Sequence, residues 1–279
     1  IDNMISEFEK ISETIDEKQQ LIESIDELFE WLYHIKEKTV KEVSRLIIDS
    51  ELSNTKEGVE EVGAFILQVV KTNLGLHCQL SELIFELDKE SDSSNNLKIL
   101  KPFIVNKVMS SFGESKQNCS FIYNLRKKGI IQAQEVTDKL NQINVNEYSN
   151  NQTNYSTNIK SLNDNIIDWF LPDIFQMEKF DYNRLINNLS FQRKSFFTQF
   201  FPGNIEKYKE MLEAGEPTDE LTKALRHDDV ESLQKFVLKN QIDITKAVVP
   251  YNVYEDYIIN GQTNYLNYST SYGSVKCFK

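Results

Sequence analysis

Histidine and cysteine are the residue types most often used in metal sites and as nucleophiles, and the chain has three of each. No histidine lies four residues from another, as a zinc site on one helix would require; the three are His34, His77 and His227. No CxxC spacing links the cysteines Cys78, Cys119 and Cys277, which suit a reducing compartment as free thiols. His77 and Cys78 are neighbours, so on a helix their side chains diverge. These residues predict no metal site and no nucleophile and base pair.

Other catalytic patterns are also missing from the sequence. It contains no GxxxxGK[ST], GxGxxG, GxSxG, HExxH or EF-hand pattern, so it offers no motif for phosphate binding, hydride transfer or metal-assisted hydrolysis. Its many carboxylates lie on the polar faces of amphipathic segments, where solvated side chains are expected. We therefore expect a protein that is not an enzyme, with no cofactor and no catalytic residue.

The charge balance narrows the classes of partner. The formal net charge is -12 and the pI is near 4.9, whereas nucleic-acid binding needs clustered Lys and Arg. Residues 1–50 hold thirteen acidic and six basic side chains, a balance of 6 minus 13, or -7. No run of 18 apolar residues occurs, which predicts no membrane span. We expect a cytoplasmic protein with protein partners of unknown identity and no nucleic acid.

The elements that carry these residues are expected to be helices. The chain has only 9 Gly and 5 Pro, which favours an all-α fold. Residues 1–50 follow a heptad pattern in which eleven of fourteen a and d positions are apolar, predicting one long amphipathic helix. Two interpretations stay open: a coiled coil that pairs two chains through residues 1–49, or a stripe that packs on the helices that follow. Leu28 and Ile35 widen the stripe, and Lys36 and Thr39 interrupt it.

Residues 51–201 are predicted to form a helical domain with antiparallel packing. Helices are expected at about 55–73, over 76–87, and at about 101–112, 115–128 and 130–143, with Asn54 to Glu57 as a capping box. Gly75 is expected to end the first of these helices in the left-handed conformation, and Gly129 to end the helix at 115–128. An Asn-rich loop is predicted at about 144–158. The aromatic residues from Trp169 to Phe201 are interpreted as core.

The last part of the chain, 202–279, contains an internal repeat at an offset of 45 residues. Leu221 corresponds to Leu266, and Val230 corresponds to Val275. In both copies a helix meets a tight turn, at Asp228 or Gly273, and a second helix follows. Residues 203–215 show a weaker likeness to the second helix of such a unit, ending in Gly215.

These segments, Leu221 to Asn240 and Tyr268 to Lys279, resemble the ankyrin repeat, as found in protist ankyrin-repeat proteins with an all-helical N-terminal region. Asn264 to Asn267 stands where the family favours Thr-Pro-Leu-His, Asp228 replaces a turn Gly, and the period exceeds the usual ~33 residues. The resemblance implies an α-solenoid that stops within a repeat, so we expect further repeats beyond Lys279.

The resemblance also implies a non-enzymatic protein-binding scaffold. The finger, which is the segment that connects the two copies of the repeat, carries Tyr251, Tyr254, Tyr257 and Tyr265. We predict that these residues contact a protein partner, because tyrosine offers contact area with few rotatable bonds. The alternative is that these rings pack onto the repeat. Alternative functions are a coiled-coil oligomerisation module and a targeting arm of an enzyme domain outside this sequence.

Overall fold

A computed structural model describes residues 23, 25–35, 38–91, 96–142, 157–176, 182–255, 263–271 and 274–278. The fold is all-α: 74% of it is helical, and the described residues contain no strand. No helix in these ranges is both long enough and apolar enough to cross a membrane. The chain divides into two compact units, residues 1–136 (unit 1) and 137–279 (unit 2).

Unit 1 is built from six helices and the start of a seventh, within the described part. They are α1 (25–33), α2 (Val40–Asp49), α3 (Lys56–Thr72), α4 (His77–Glu90), α5 (Leu100–Ser110), α6 (Lys116–Lys127) and α7 (Ala133–Gln142). Three short 3-10 segments precede α3, α4 and α5, at Glu51–Asn54, Leu74–Leu76 and Asn96–Ile99. The predicted apolar face of 76–87 is confirmed, since Leu80, Leu83 and Leu87 are fully buried.

The prediction of one continuous helix over 1–50 is wrong in its described part. Helix α1 ends at 33 in a turn, and α2 starts again after Thr39. The hydroxyl of Thr39 accepts from the Glu42 amide, and the Glu42 carboxylate accepts from the Thr39 amide at 2.7 Å. This reciprocal capping box satisfies amides that a continuous helix would have bonded internally, so a new helix start becomes favourable there.

The heptad stripe of α1 serves the packing of its own chain. Leu28, Leu32 and Ile35 are buried, and the Phe29 ring meets Phe65 of α3 edge-on at 4.9 Å between centroids. The interpretation as a stripe packed on following helices therefore describes residues 25–35. The remainder of the predicted coiled coil, residues 1–22, lies outside the described residues.

Two local predictions in unit 1 need correction. Thr55 caps α3 by accepting from the Gly58 amide at 3.0 Å, so the cap falls one residue after Asn54 and no Glu completes a box. A Cβ on Gly58 would lie 2.3 Å from the Leu52 carbonyl oxygen, which explains a glycine inside this helix. Gly75 is not left-handed and lies in a 3-10 turn, whereas Gly129 ends α6 with φ 71° as predicted.

Unit 2 begins within α7, and the Asn-rich stretch that follows this helix lies almost wholly outside the described residues. The remaining helices of unit 2 are α8 (Thr157–Ile174), α9 (Tyr182–Asn188), α10 (Phe191–Phe197), α11 (Ile205–Ala214), α12 (Glu220–Arg226), α13 (Val230–Asn240), α14 (Tyr265–Ser271) and α15 (Val275–Phe278). The core assignment of the aromatic residues is confirmed for Trp169, Phe170, Phe197 and Phe201, but Phe191 is 85% exposed.

The 45-residue offset is visible in the hydrogen bonds of unit 2. Asp219 caps α12 by accepting from the Thr222 amide at 2.8 Å, and Asn264 accepts from the Asn267 amide at the same distance. After the first helix of each copy, the Asp229 amide donates to the Ala224 carbonyl and the Ser274 amide to the Ser269 carbonyl, both at 2.9 Å. Each of these pairs of bonds is displaced by 45 residues, so both copies start and close their first helix in the same way.

Candidate functional site

The connecting segment, residues 241–264, joins α13 to α14 and holds three of the four tyrosines predicted to bind a partner, while the fourth, Tyr265, is the first residue of α14. Gln241 starts it in the left-handed conformation, φ 52°. Its two ends are then joined, because the Val249 amide donates to the Thr263 carbonyl at 2.8 Å and Tyr265 donates to Ala247 at 3.3 Å. Backbone pairing of this kind closes a loop at its base.

The described tyrosines of this set pack against other residues of the same chain. Tyr254 and Tyr265 are each 6% exposed, and Tyr251 is half-buried. The Tyr254 hydroxyl donates to the Met211 carbonyl at 2.6 Å, and the Tyr265 hydroxyl donates to Asp219 at 3.0 Å. The alternative, in which these rings pack within the chain, therefore describes Tyr254 and Tyr265, because each phenol is buried and has a hydrogen-bond partner inside the fold. Tyr257 lies outside the described residues.

Tyr251 enters a buried charged cluster, which consists of Asp164, Asp168, Arg193, Tyr208 and Tyr251. A guanidinium nitrogen of Arg193 lies 2.5 Å from an Asp168 carboxylate oxygen, and the Tyr251 hydroxyl lies 2.8 and 2.7 Å from the two oxygens of the same carboxylate. Tyr208 donates to the Asp168 carbonyl at 2.5 Å. Asp168 and Arg193 are only 2% and 6% exposed, and Arg193 also forms an ion pair with the less buried Asp164, so ion pairing replaces the solvation that the buried charges have lost.

The ionisation of this cluster follows from burial and from its close charges. Burial is the largest single effect and would lower the pKa of Arg193, but Asp168, Tyr251 and Asp164 together outweigh it and raise that pKa well above its ordinary value. Burial, followed by the Asp168 charge, raises the pKa of Tyr251 well above its ordinary value. Both groups are therefore held in their usual neutral-pH forms, which suits a structural network and does not suit proton transfer.

A second buried ion pair holds the connecting segment near its other described end. The Arg226 guanidinium donates to Glu255, whose side chain is 1% exposed, and the Tyr268 hydroxyl donates to the same carboxylate oxygen at 2.5 Å. Arg226 also donates to the Tyr268 hydroxyl at 2.9 Å. Arg226 lies on α12 and Tyr268 on α14, so Glu255 links the first helices of the two copies.

His77 lies in the core of unit 1, away from Cys78, which is exposed. The two ring nitrogens of His77 lie 2.8 Å from the Val70 carbonyl and 2.9 Å from the Ser120 hydroxyl. Because a carbonyl only accepts, Nε2 carries the proton and Nδ1 accepts from Ser120. Burial lowers the pKa of His77 to about 4, so the ring is neutral and its side chain diverges from the thiol as predicted.

Among the described residues, no group of three His, Cys, Asp or Glu side chains is placed to hold a metal ion. Sequence reasoning missed both buried ion pairs. A signal for the first was present: Asp168 interrupts the apolar run 166–171, and a carboxylate at a core position requires a cationic partner. The identity of that partner, Arg193, could not be read from the sequence because the two residues are 25 positions apart.

The chain matched no protein-family model, no curated protein and no solved structure in the comparisons with known proteins.

Proposed function

We propose that the chain is a non-catalytic protein-binding scaffold whose residues 219–278 stack as two ankyrin-like helix-turn-helix units. The observation that carries the proposal is the repeated hydrogen-bond register: the helix cap and the closing turn of the first copy recur 45 residues later. Repeats of one structural unit bury their apolar faces against each other, which is the principle of solenoid proteins.

Contacts between the copies support stacking. The Asp228 carboxylate accepts from the amides of Lys276 and Cys277, both at 2.9 Å from one oxygen, so the turn of the first copy caps the second helix of the next. Ser274 donates to the Leu225 carbonyl. Between them lies a shared apolar cluster that includes Leu221, Leu225 and Tyr268. Such a pair is rigid, and rigid surfaces lose little conformational entropy on binding.

The surface available to a partner differs from the tyrosine set. Five large hydrophobic side chains are exposed among the described residues, and three of them, Leu238, Val248 and Val275, lie within 219–278. Leu238 is 78% exposed on α13, and Val275 is 56% exposed at the start of α15. We propose that the second helices of the units contribute to binding, since exposed apolar side chains mark many interaction surfaces.

Quantitative affinity purification of the tagged full chain from cells tests this proposal. The double variant Leu238→Glu and Val275→Glu should lose one or more proteins that the wild type retains, by about tenfold or more, because a buried carboxylate at an interface opposes binding. Both positions are exposed, so the fold should be kept, and circular dichroism checks that it is.

Phe191→Glu is the matched control, because Phe191 is 85% exposed but lies on α10, outside the two units. This variant should retain the same proteins as the wild type. The proposal is contradicted if the double variant and the wild type retain identical sets in equal amounts, or if Phe191→Glu loses the same proteins.

A further inference from the structure

Unit 1 carries an apolar groove that the repeat does not account for. Two adjoining depressions between α1 and α2 share Glu27, Trp31 and Leu46. Trp31 and Leu46 are half-exposed and form the apolar floor, with Phe29 contributing to one of the depressions. A half-exposed tryptophan offers a large, rigid contact area, and tryptophan is enriched where proteins bind each other.

The rim of the groove is strongly acidic. Among the residues lining the two depressions, Lys38 is the one cation, and six are carboxylates: Glu23, Asp26, Glu27, Glu30, Asp49 and Glu51. The balance is 1 minus 6, or -5, within one groove. All six carboxylates belong to exposed residues, and Glu30 also pairs with His34 at 3.3 Å. Such a field attracts cations and repels other acidic segments.

The charge of the chain itself argues against its own segments as occupant. Residues 1–22 carry two basic and six acidic side chains, a balance of 2 minus 6, or -4, and the whole chain is at -12. The N-terminal segment and a second copy would therefore both bring negative charge to a negative rim. A complementary occupant carries Lys or Arg beside apolar side chains.

We propose that the groove between α1 and α2 binds a basic amphipathic peptide segment of another protein, with an apolar side chain on Trp31 and Leu46 and with Lys or Arg on the acidic rim. A cation close to the Trp31 ring would add a cation–π contact to the apolar one. The inference goes beyond the proposed function, because the groove lies in unit 1 and the repeats lie in unit 2. Either can fail while the other stands.

Fluorescence titration of the full chain tests the groove. In a Trp169→Phe background Trp31 is the one remaining tryptophan, so its emission reports binding at this place. The probe is a synthetic amphipathic helix peptide of leucine and lysine, and the matched peptide has glutamate in place of lysine. We expect the lysine peptide to shift Trp31 emission, with an affinity that falls as salt rises, and the glutamate peptide to leave it unchanged.

A matched pair of charge reversals separates the groove from general attraction by an acidic protein. Glu27→Lys and Glu210→Lys change the net charge equally, but Glu27 lines both depressions and Glu210 is an exposed residue of α11. Glu27→Lys should lower the affinity for the lysine peptide by about tenfold, and Glu210→Lys should lower it by less than about twofold. Trp31→Ala should weaken binding of the lysine peptide by a similar factor, as measured by calorimetry. Trp31→Phe should retain most of the affinity.

Equal effects of the two reversals would overturn the proposal, as would absence of binding to the wild type. Sedimentation of the unliganded chain adds one further outcome. If the protein self-associates and Trp31→Ala abolishes the association, the occupant is a second copy and the proposed basic partner is wrong.

Discussion

At the scale of single residues, the most consequential group in unit 2 is the Asp168 carboxylate. It lies on α8 within an apolar run. Three side chains from elsewhere in unit 2 donate hydrogen bonds to this residue: Arg193 of α10, Tyr208 of α11 and Tyr251 of the connecting segment. The buried carboxylate thus connects α10 and the connecting segment to α8, and the Asp168 carbonyl connects α11 to the same helix. Removal of this charge or of its partner should lower the stability of the whole of unit 2.

Arg193→Leu should destabilise unit 2 by about 3–5 kcal/mol, because it leaves the Asp168 charge buried without its ion-pair partner. Tyr251→Phe removes a neutral donor to the same carboxylate and should cost about 1.5–3 kcal/mol, less than the loss of the cation. Urea unfolding followed by Trp169 fluorescence in a Trp31→Phe background measures both. The neighbouring Lys194→Leu is the control, with an expected loss below about 1 kcal/mol, and an equally mild Arg193→Leu would refute the role given to the pair.

The buried imidazole of His77 predicts a pH dependence in unit 1. Its folded pKa of about 4 is lower than the ordinary 6.5, so the unfolded chain binds the proton first as pH falls. This contribution to stability is complete above pH 6.5 and is lost as pH falls from 6.5 towards 4, by about 3 kcal/mol in all. An NMR titration of the imidazole should show the midpoint near 4; a midpoint near 6.5 would be incompatible with the buried, hydrogen-bonded ring.

At the scale of elements, some local signals were read correctly, although Gly75 does not take the left-handed conformation that Gly129 takes. Gly129 ends α6 in a left-handed conformation, and the apolar spacing of 76–87 gives the buried face of α4. The division of the first fifty residues was missed because apolar heptad positions resume at Val43 and Leu46 after the interruption at Thr39, whereas the capping box of Thr39 and Glu42 starts a new helix there. Two competing signals overlap there, and the hydrogen bonds of the cap decide the outcome.

The turn at Asp228 predicts an order among substitutions. Its φ is 52°, and its carboxylate accepts from two amides at the start of α15. Asp228→Asn should be tolerated, since Asn adopts this conformation and keeps an acceptor. Asp228→Gly keeps the conformation alone, and Asp228→Ala loses both, so it should be the most destabilising of the three. Hydrogen exchange at the Lys276 and Cys277 amides should accelerate in the same order.

Acidification should act on the same contact. The Cys277 amide, followed by that of Lys276, lowers the pKa of Asp228 by donating to its carboxylate. The stabilisation is therefore complete above the ordinary carboxyl pKa and is lost as pH falls through the lower folded value. Exchange of the two amides should accelerate in acid relative to other amides of unit 2 in the wild type and not in Asp228→Asn. Unchanged relative rates in the wild type would argue against the cap.

At the scale of the whole molecule, the sequence predicts the all-α class and the 45-residue repeat but not the use of its connecting segment. Composition suffices to predict the all-α class, and matching cap and turn residues suffice to predict the repeat. The tyrosines were predicted to contact a partner because the sequence does not show the hydrogen-bond partners of the three described ones: Asp168, Met211 and Asp219 lie 83, 43 and 46 residues from Tyr251, Tyr254 and Tyr265. Helix propensity and hydrophobic periodicity carry no information about contacts between residues so far apart in the sequence.

The stacking of the two copies is the claim on which the scaffold proposal rests, and disulfide trapping tests it most directly. The Cys277 sulfur lies 3.9 Å from the Ala224 carbonyl, so Ala224→Cys, with Cys78 and Cys119 changed to Ser, should form an intramolecular disulfide under mild oxidation, detected by peptide mass spectrometry. Lys223→Cys, which points about 100° away on the same helix, should not cross-link. Failure of the Ala224→Cys protein to cross-link, or equal cross-linking from position 223, would contradict the stacked arrangement.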